Sequence, residues 1–151
     1  MPSTLLPIPH RLQRSDGDCL AACAAMVLDY LGVPVDYDRL YGLLGVTPYG
    51  APGSRLSNLA GLGVQVRYAR GTIGELFEYL DHGQPCVVLV RTDQLPYWTC
   101  ATDHAVLVVG FDEQAVYIND PAFEQAPQRA PRADFELAWL EFDYRYAVIW
   151  R

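Results

Sequence analysis

Apolar and polar positions change their spacing near residue 63 of this chain. Before it, apolar residues gather in alanine- and leucine-rich runs of helical length; after it, they alternate or run unbroken over short stretches. The run CLAACAAMVLDYL (19–31) is apolar on most sides, stops at Gly32 and has Pro34 beyond, the pattern of a buried helix with a glycine stop. Asp18, or Asp16 just before it, is placed to cap its start. Shorter helices are predicted over 36–44 and 54–62, separated by the glycine- and proline-rich loop GVTPYGAPGS. VQVRYA (64–69) alternates and reads as a strand. TIGELFEYLDHG (72–83) opens with a Thr-x-x-Glu capping box and closes on Gly83, so a helix is predicted there. CVVLVR (86–91), HAVLVVGF (104–111) and AVYIND (115–120) read as strands, the last two joined as a hairpin by the turn DEQ. RADFELAWLEF (132–142) predicts one more helix and YRYAVIW (144–150) a closing strand. Helices first and mostly antiparallel strands afterwards make an α+β architecture, with helix packed on sheet. No repeat or linker interrupts it, and a single domain over 1–151 is expected.

Composition narrows the class of function. Apolar residues make up 51% and charged residues 19%, as in an ordinary soluble globular domain. No run approaches the roughly 18 apolar residues that span a bilayer. The start, MPSTLLPIPHRLQ, lacks a basic beginning and its apolar patch is broken by prolines. It does not read as a signal peptide, and a cytoplasmic protein is expected. The net charge of −7, with all eleven basic residues arginine, argues against nucleic acid and anionic membranes as partners. Cys19, Cys23, Cys86 and Cys100 are expected as free thiols, because a chain of this length needs no disulfide staples.

Cys19 falls where the first long helix begins. Unpaired N–H groups and the helix dipole favour a thiolate there, and thiolate is the nucleophilic form. Buried cysteine is equally common as a small hydrophobe, which suits Cys23 and Cys86; Cys100 lies in the loop YWTCATD. Of three histidines, His10 sits in a proline-rich segment and His82 at a helix end. His104 stands at the mouth of the most apolar strand, where a titratable side chain is costly without a partner, and is the candidate base. Asp120 ends the next strand, so the hairpin brings it to the same end as His104. Asp103 and Asn119 point to the opposite face by alternation. The N–H of Cys19 and the side chain of Gln13, folded back by the turn RSDGD, are candidate donors to an oxyanion. A metal site from Cys19, Cys23 and His104 is a competing use of the same residues, although it lacks a fourth ligand. Tyr49, Tyr97 and Trp98 either line a cleft or pack their loops.

The order Gln13, Cys19, His104, Asp120 and the strings around them resemble a known family. QRSDGDCLAACAAMVLDYLG and DHAVLVVGFDEQAVYINDPA are similar to the two catalytic segments of the double-glycine-leader peptidases, papain-like cysteine peptidases best known as domains of bacteriocin-exporting transporters. DFELAWL and YRYAVIW resemble the Phe-x-x-x-Trp helix and last strand of stand-alone relatives. The resemblance implies a papain-like fold acting on a peptide or protein substrate, with no cofactor and no metal. It implies Cys19 as nucleophile, His104 as general base and acid, Asp120 as the orienting residue and Gln13 as oxyanion donor. Where that family has glycine after the cysteine, this chain has Leu20, which is expected to narrow the cleft. A peptide-binding domain with little turnover, and an acyltransferase using the same residues, are the alternative readings.

Overall fold

The alanine-rich run forms helix α1 (Cys19–Leu31) in the structure, a computed structural model that describes residues 2–151. Gly32 ends it in left-handed backbone (φ 72°), and the N–H groups of Gly32 and Val33 return to the carbonyls of Asp29 and Leu28. Leu20 through Leu28 are all buried, so α1 has no solvent face over most of its length. It lies between the sheet and a second helix, α2 (Tyr37–Leu44).

The helix predicted over 54–62 is instead a 3-10 helix, Gly53–Leu62. Its buried residues Leu56 and Leu59 are three apart, which matches a three-residue turn, and glycine, serine and asparagine give an α-helix little support there. After it come β2 (Gln65–Arg70), α3 (Ile73–Asp81), β3 (Cys86–Arg91), β4 (Asp103–Phe111) and β5 (Ala115–Asn119). Thr72 caps α3 as expected, its hydroxyl accepting the Glu75 N–H at 3.2 Å. The chain closes with α4 (Arg132–Leu140) and β7 (Arg145–Trp150).

Two strands have no strong sequence signal. Thr4–Leu5 (β1) pairs with the far end of β4, and Gln128–Pro131 (β6) pairs with β5. Proline is tolerated in β6 because that strand is the sheet's outer edge. The sheet runs β2-β7-β3-β4-β5-β6 and its pairings are antiparallel.

Both faces of the sheet are covered. Val87, Leu107, Val109 and Ile149 pack towards α1 and the 3-10 helix. Val88, Val106, Val108 and Val148 pack towards Leu76 and Leu80 of α3 and Phe135 and Trp139 of α4. Strands buried on both sides read as unbroken apolar runs, which is why CVVLV and AVLVVG carry no polar alternation. Each such buried valine or leucine contributes roughly 1.5–3 kcal/mol relative to exposure. The β4–β5 hairpin and the start of α1 are thus held on a packed base.

Candidate active site

His104 is the second residue of β4, and the strand's alternation puts it on the face shared by Val106 and Val108. Asn119, at the end of β5, points the other way: its Nδ2 donates to the Ile8 carbonyl at 3.4 Å and reaches Met26 of α1. Asp120 therefore turns to the side of His104, as the hairpin register predicts. His104 Nε2 lies 2.7 Å from Asp120 Oδ1, with side-chain exposures of 3% and 0%. The Asp120 carboxylate accepts three further hydrogen bonds. Oδ1 takes the Ala122 N–H at 3.0 Å, and Oδ2 takes the Tyr97 hydroxyl and the Trp98 indole N–H, both at 2.9 Å.

Charge inside this cluster outweighs burial. Burial alone would raise the Asp120 carboxyl, but the hydrogen bond and charge of His104 hold it below the usual range. Burial alone would lower His104; hydrogen bonds to Asp120 and to the Cys19 thiol, with the charges behind them, push it up to about 9. That upward shift favours the protonated imidazole beside the Asp120 carboxylate.

Cys19 opens α1 and is partly exposed. Asp18 does not cap the helix as the sequence suggests. Its buried carboxylate turns back onto the preceding turn, accepting the N–H groups of Arg14 (2.9 Å) and Ser15 (2.7 Å) and the hydroxyls of Ser15 (3.2 Å) and Tyr37 (2.8 Å). Burial opposes its ionisation, yet these donors hold its pKa below the usual carboxylate value. Asp16, the other expected cap, is exposed and borders the cleft. No side chain caps α1, so its first N–H groups stay free beside the sulfur. Gly17 is fixed by close approach: a Cβ there would lie 2.4 Å from the Thr47 carbonyl oxygen. The turn before Cys19 is therefore docked on the loop that carries Tyr49.

Cys19 and His104 open together into a cleft of about 390 Å³, with Leu89 and Phe142 among its apolar walls. Tyr49 stands on its rim and is 99% exposed. Leu20 borders the cleft, but at 2% exposure its side chain belongs to the α1 core, so it narrows the opening little. Gln13 lines an adjoining depression with Pro121 and Glu124, and Asp16 borders both. Its backbone N–H donates to the Pro121 carbonyl at 2.8 Å and its side-chain amide to the Ser15 carbonyl at 2.8 Å, while its Oε1 is buried without a partner.

The other candidates lie apart. His10 Nε2 contacts the Phe123 carbonyl at 2.6 Å, and His82 Nδ1 the Glu78 carbonyl at 2.7 Å. All four thiols are free. Cys23 and Cys86 are sealed in the core, and burial pushes both thiols up, that of Cys23 further through the charges of Cys19 and Asp120. Among the described residues no cluster of three or more His, Cys, Asp or Glu is arranged to hold a metal, so a Cys19–Cys23–His104 centre is not formed. Sequence reasoning offered Tyr97 and Trp98 as cleft-lining or loop-packing aromatics but missed that their polar atoms meet Asp120; their donor groups, which seek partners when buried, were the hint.

Residues 5–147 match the model of the peptidase C39-like family. The chain belongs to that family. The uncharacterized protein YvpB of Bacillus subtilis (strain 168) is 26% identical over 171 residues, spanning 87% of this chain and 68% of YvpB. The fold is similar to that of a Bacillus anthracis protein assigned as a C39-like peptidase (TM-score 0.82, 22% identity, 98% of this chain and 97% of that one). It is also similar to a double glycine motif protease from an AMS/PCAT transporter, solved with its leader peptide (TM-score 0.76, 21% identity, 97% and 94%). The peptidase domain of Streptococcus ComA, a bifunctional ABC transporter of a quorum-sensing pathway, matches with TM-score 0.73, 20% identity and coverage of 97% and 96%. This C39-like chain has no helix, among its described residues, long and apolar enough to cross a membrane.

Proposed function

We propose that this C39-like protein is a cysteine peptidase that cleaves a peptide bond through an acyl-enzyme on Cys19. The observation that carries the reading is the buried His104–Asp120 contact of 2.7 Å in a cleft that His104 shares with the Cys19 thiol. A proton held on His104 beside a thiol at the uncapped start of α1 sets an acid next to a nucleophile. The Cys19 sulfur adds to the scissile carbonyl carbon, and the carbonyl electron pair moves onto oxygen. The uncapped N–H groups at the start of α1 meet that oxyanion, with the Gln13 amide as the second donor in this reading. Collapse breaks the C–N bond while His104 hands its proton to the leaving amine. His104 then takes a proton from water, which adds to the thioester, releasing the acid and restoring the thiol pair. Asp120 stays ionised and holds the imidazole throughout.

The substrate proposed is an extended peptide segment, in keeping with the leader peptide bound by the double glycine motif protease of similar fold. Digestion of a peptide library by the wild type and by Cys19→Ala tests the reading. The wild type should cut at defined sequences and Cys19→Ala at none; equal cleavage by both would refute it.

A further inference from the structure

Only one of the four hydrogen bonds accepted by Asp120 comes from His104. Two others come from consecutive loop residues, and both converge on Oδ2, the oxygen that His104 does not use. That loop, between β3 and β4, is itself fixed. The buried Thr92 hydroxyl donates to the Cys100 carbonyl at 2.7 Å and accepts the Thr102 N–H at 2.9 Å, closing the loop at its base. Phe123 packs edge-on against the rings of Tyr97 and Trp98, at 5.3 and 5.2 Å. The indole also presents itself to the His104 ring at 5.0 Å.

A carboxylate held by His104 and one backbone N–H alone could swing about its Cβ–Cγ bond. With two donors fixed on Oδ2, any such swing breaks at least two hydrogen bonds to a buried charge, the kind that are costly to lose. Neither residue is among those lining the Cys19–His104 cleft, and both meet the site through Asp120.

We propose that Tyr97 and Trp98 are positioning residues of this site. They lock the Asp120 carboxylate with Oδ1 aimed at His104 Nε2, and their rings, closed by Phe123, keep water from the pair. The proposal rests on the peptidase reading of Cys19 and His104, since it concerns the support of that pair.

Trp98→Phe keeps a ring and removes the N–H; Tyr97→Phe removes only the hydroxyl. Each is made in the wild type and in an Asp120→Asn background. Three quantities are read: the rate of Cys19 alkylation by iodoacetamide at pH 7, kcat and KM on a peptide cleaved by the wild type, and the melting temperature. In the wild-type background each substitution should slow alkylation and lower kcat by about tenfold with KM unchanged. In the Asp120→Asn background neither should slow them further, because the residue they act through has lost its charge. Unchanged alkylation in the wild-type background overturns the proposal and leaves the peptidase reading standing. A tenfold loss that persists in the Asp120→Asn background overturns it too, since it would come from packing alone. Alkylation indifferent to Asp120→Asn itself would sink the peptidase reading along with it. Should Trp98→Phe fail to fold, the near-isosteric Tyr97→Phe carries the same comparison.

Discussion

Asp120→Asn is the substitution whose cost can be worked out most fully. The asparagine amide fills the same space but turns one acceptor oxygen into an NH2 group. If that group faces Oδ2's partners, the Trp98 N–H is left without an acceptor, because indole cannot accept in return. If it faces Oδ1's partners, the Ala122 N–H is orphaned and the His104 Nε2 must give up its hydrogen to accept from the amide. Either way a buried donor is unpaired and the imidazolium has lost its counter-charge. Breaking a buried pair by neutralising one partner costs about 3–5 kcal/mol. At about 4 kcal/mol, the melting temperature of a chain this size falls by roughly 8–16 °C. The pH dependence separates this from simple damage to packing. His104 titrates at about 9 in the folded protein against an ordinary value of 6.5, so its contribution is complete below pH 6.5 and lost as pH rises through 9. That contribution is on the order of 3 kcal/mol. Urea unfolding of the wild type should therefore show stability falling from pH 6 to pH 9 more steeply than that of Asp120→Asn. An NMR titration of the His104 ring should move from about 9 to 6.5 or below. A ring that still titrated near 9 in the variant would refute the argument, because the upward shift would then owe nothing to Asp120.

Other outcomes follow from the same geometry. If protonated His104 is required for turnover, kcat/KM should fall on the alkaline side with a midpoint near pH 9, read from a pH–rate profile. Iodoacetamide under native conditions should label Cys19 and the exposed Cys100 while sparing Cys23 and Cys86, as peptide mass mapping will show. Gly17→Ala should cost about 1–3 kcal/mol in chemical denaturation, since the new methyl meets the Thr47 and Pro48 carbonyls and must push the loop away. Asp18→Ala should cost about 2–4 kcal/mol by the same measurement, leaving the Tyr37 hydroxyl and the Arg14 and Ser15 N–H groups without their acceptor.

The site was legible in the sequence where local periodicity and chemistry agreed. His104 and Asp120 could be paired because a period of two and a short turn fix which residues of a hairpin share an end and a face. Cys19 could be placed because a glycine stop and an apolar run bracket α1. Asp18 was misread because the capping rule looks forward into the helix. Its carboxylate instead bonds backward, where Tyr37 from α2 supplies a donor that no local pattern announces. Tyr97 and Trp98 escaped for a similar reason, reaching Asp120 across 23 and 22 residues from an aperiodic loop. The helix expected over 54–62 is present, and its 3-10 winding was not legible because two leucines three apart suit either form. β6 was hidden by its proline, acceptable only because nothing pairs beyond it among the described residues.

The two halves of the site ride on different elements, the sulfur on α1 and the imidazole on β4. Between them lies one apolar core, in which Ala21, Ala24 and Ala25 of the helix and Ala105 of the strand are fully buried small residues. Larger side chains in that core would lift the helix from the sheet and carry the sulfur away from its partner without altering any polar residue. The spacing of Cys19 and His104 can thus be changed from beneath, by a volume change in residues that carry no polar group. The chemistry proposed for Cys19 therefore depends on small buried side chains as much as on the polar ones around the cleft.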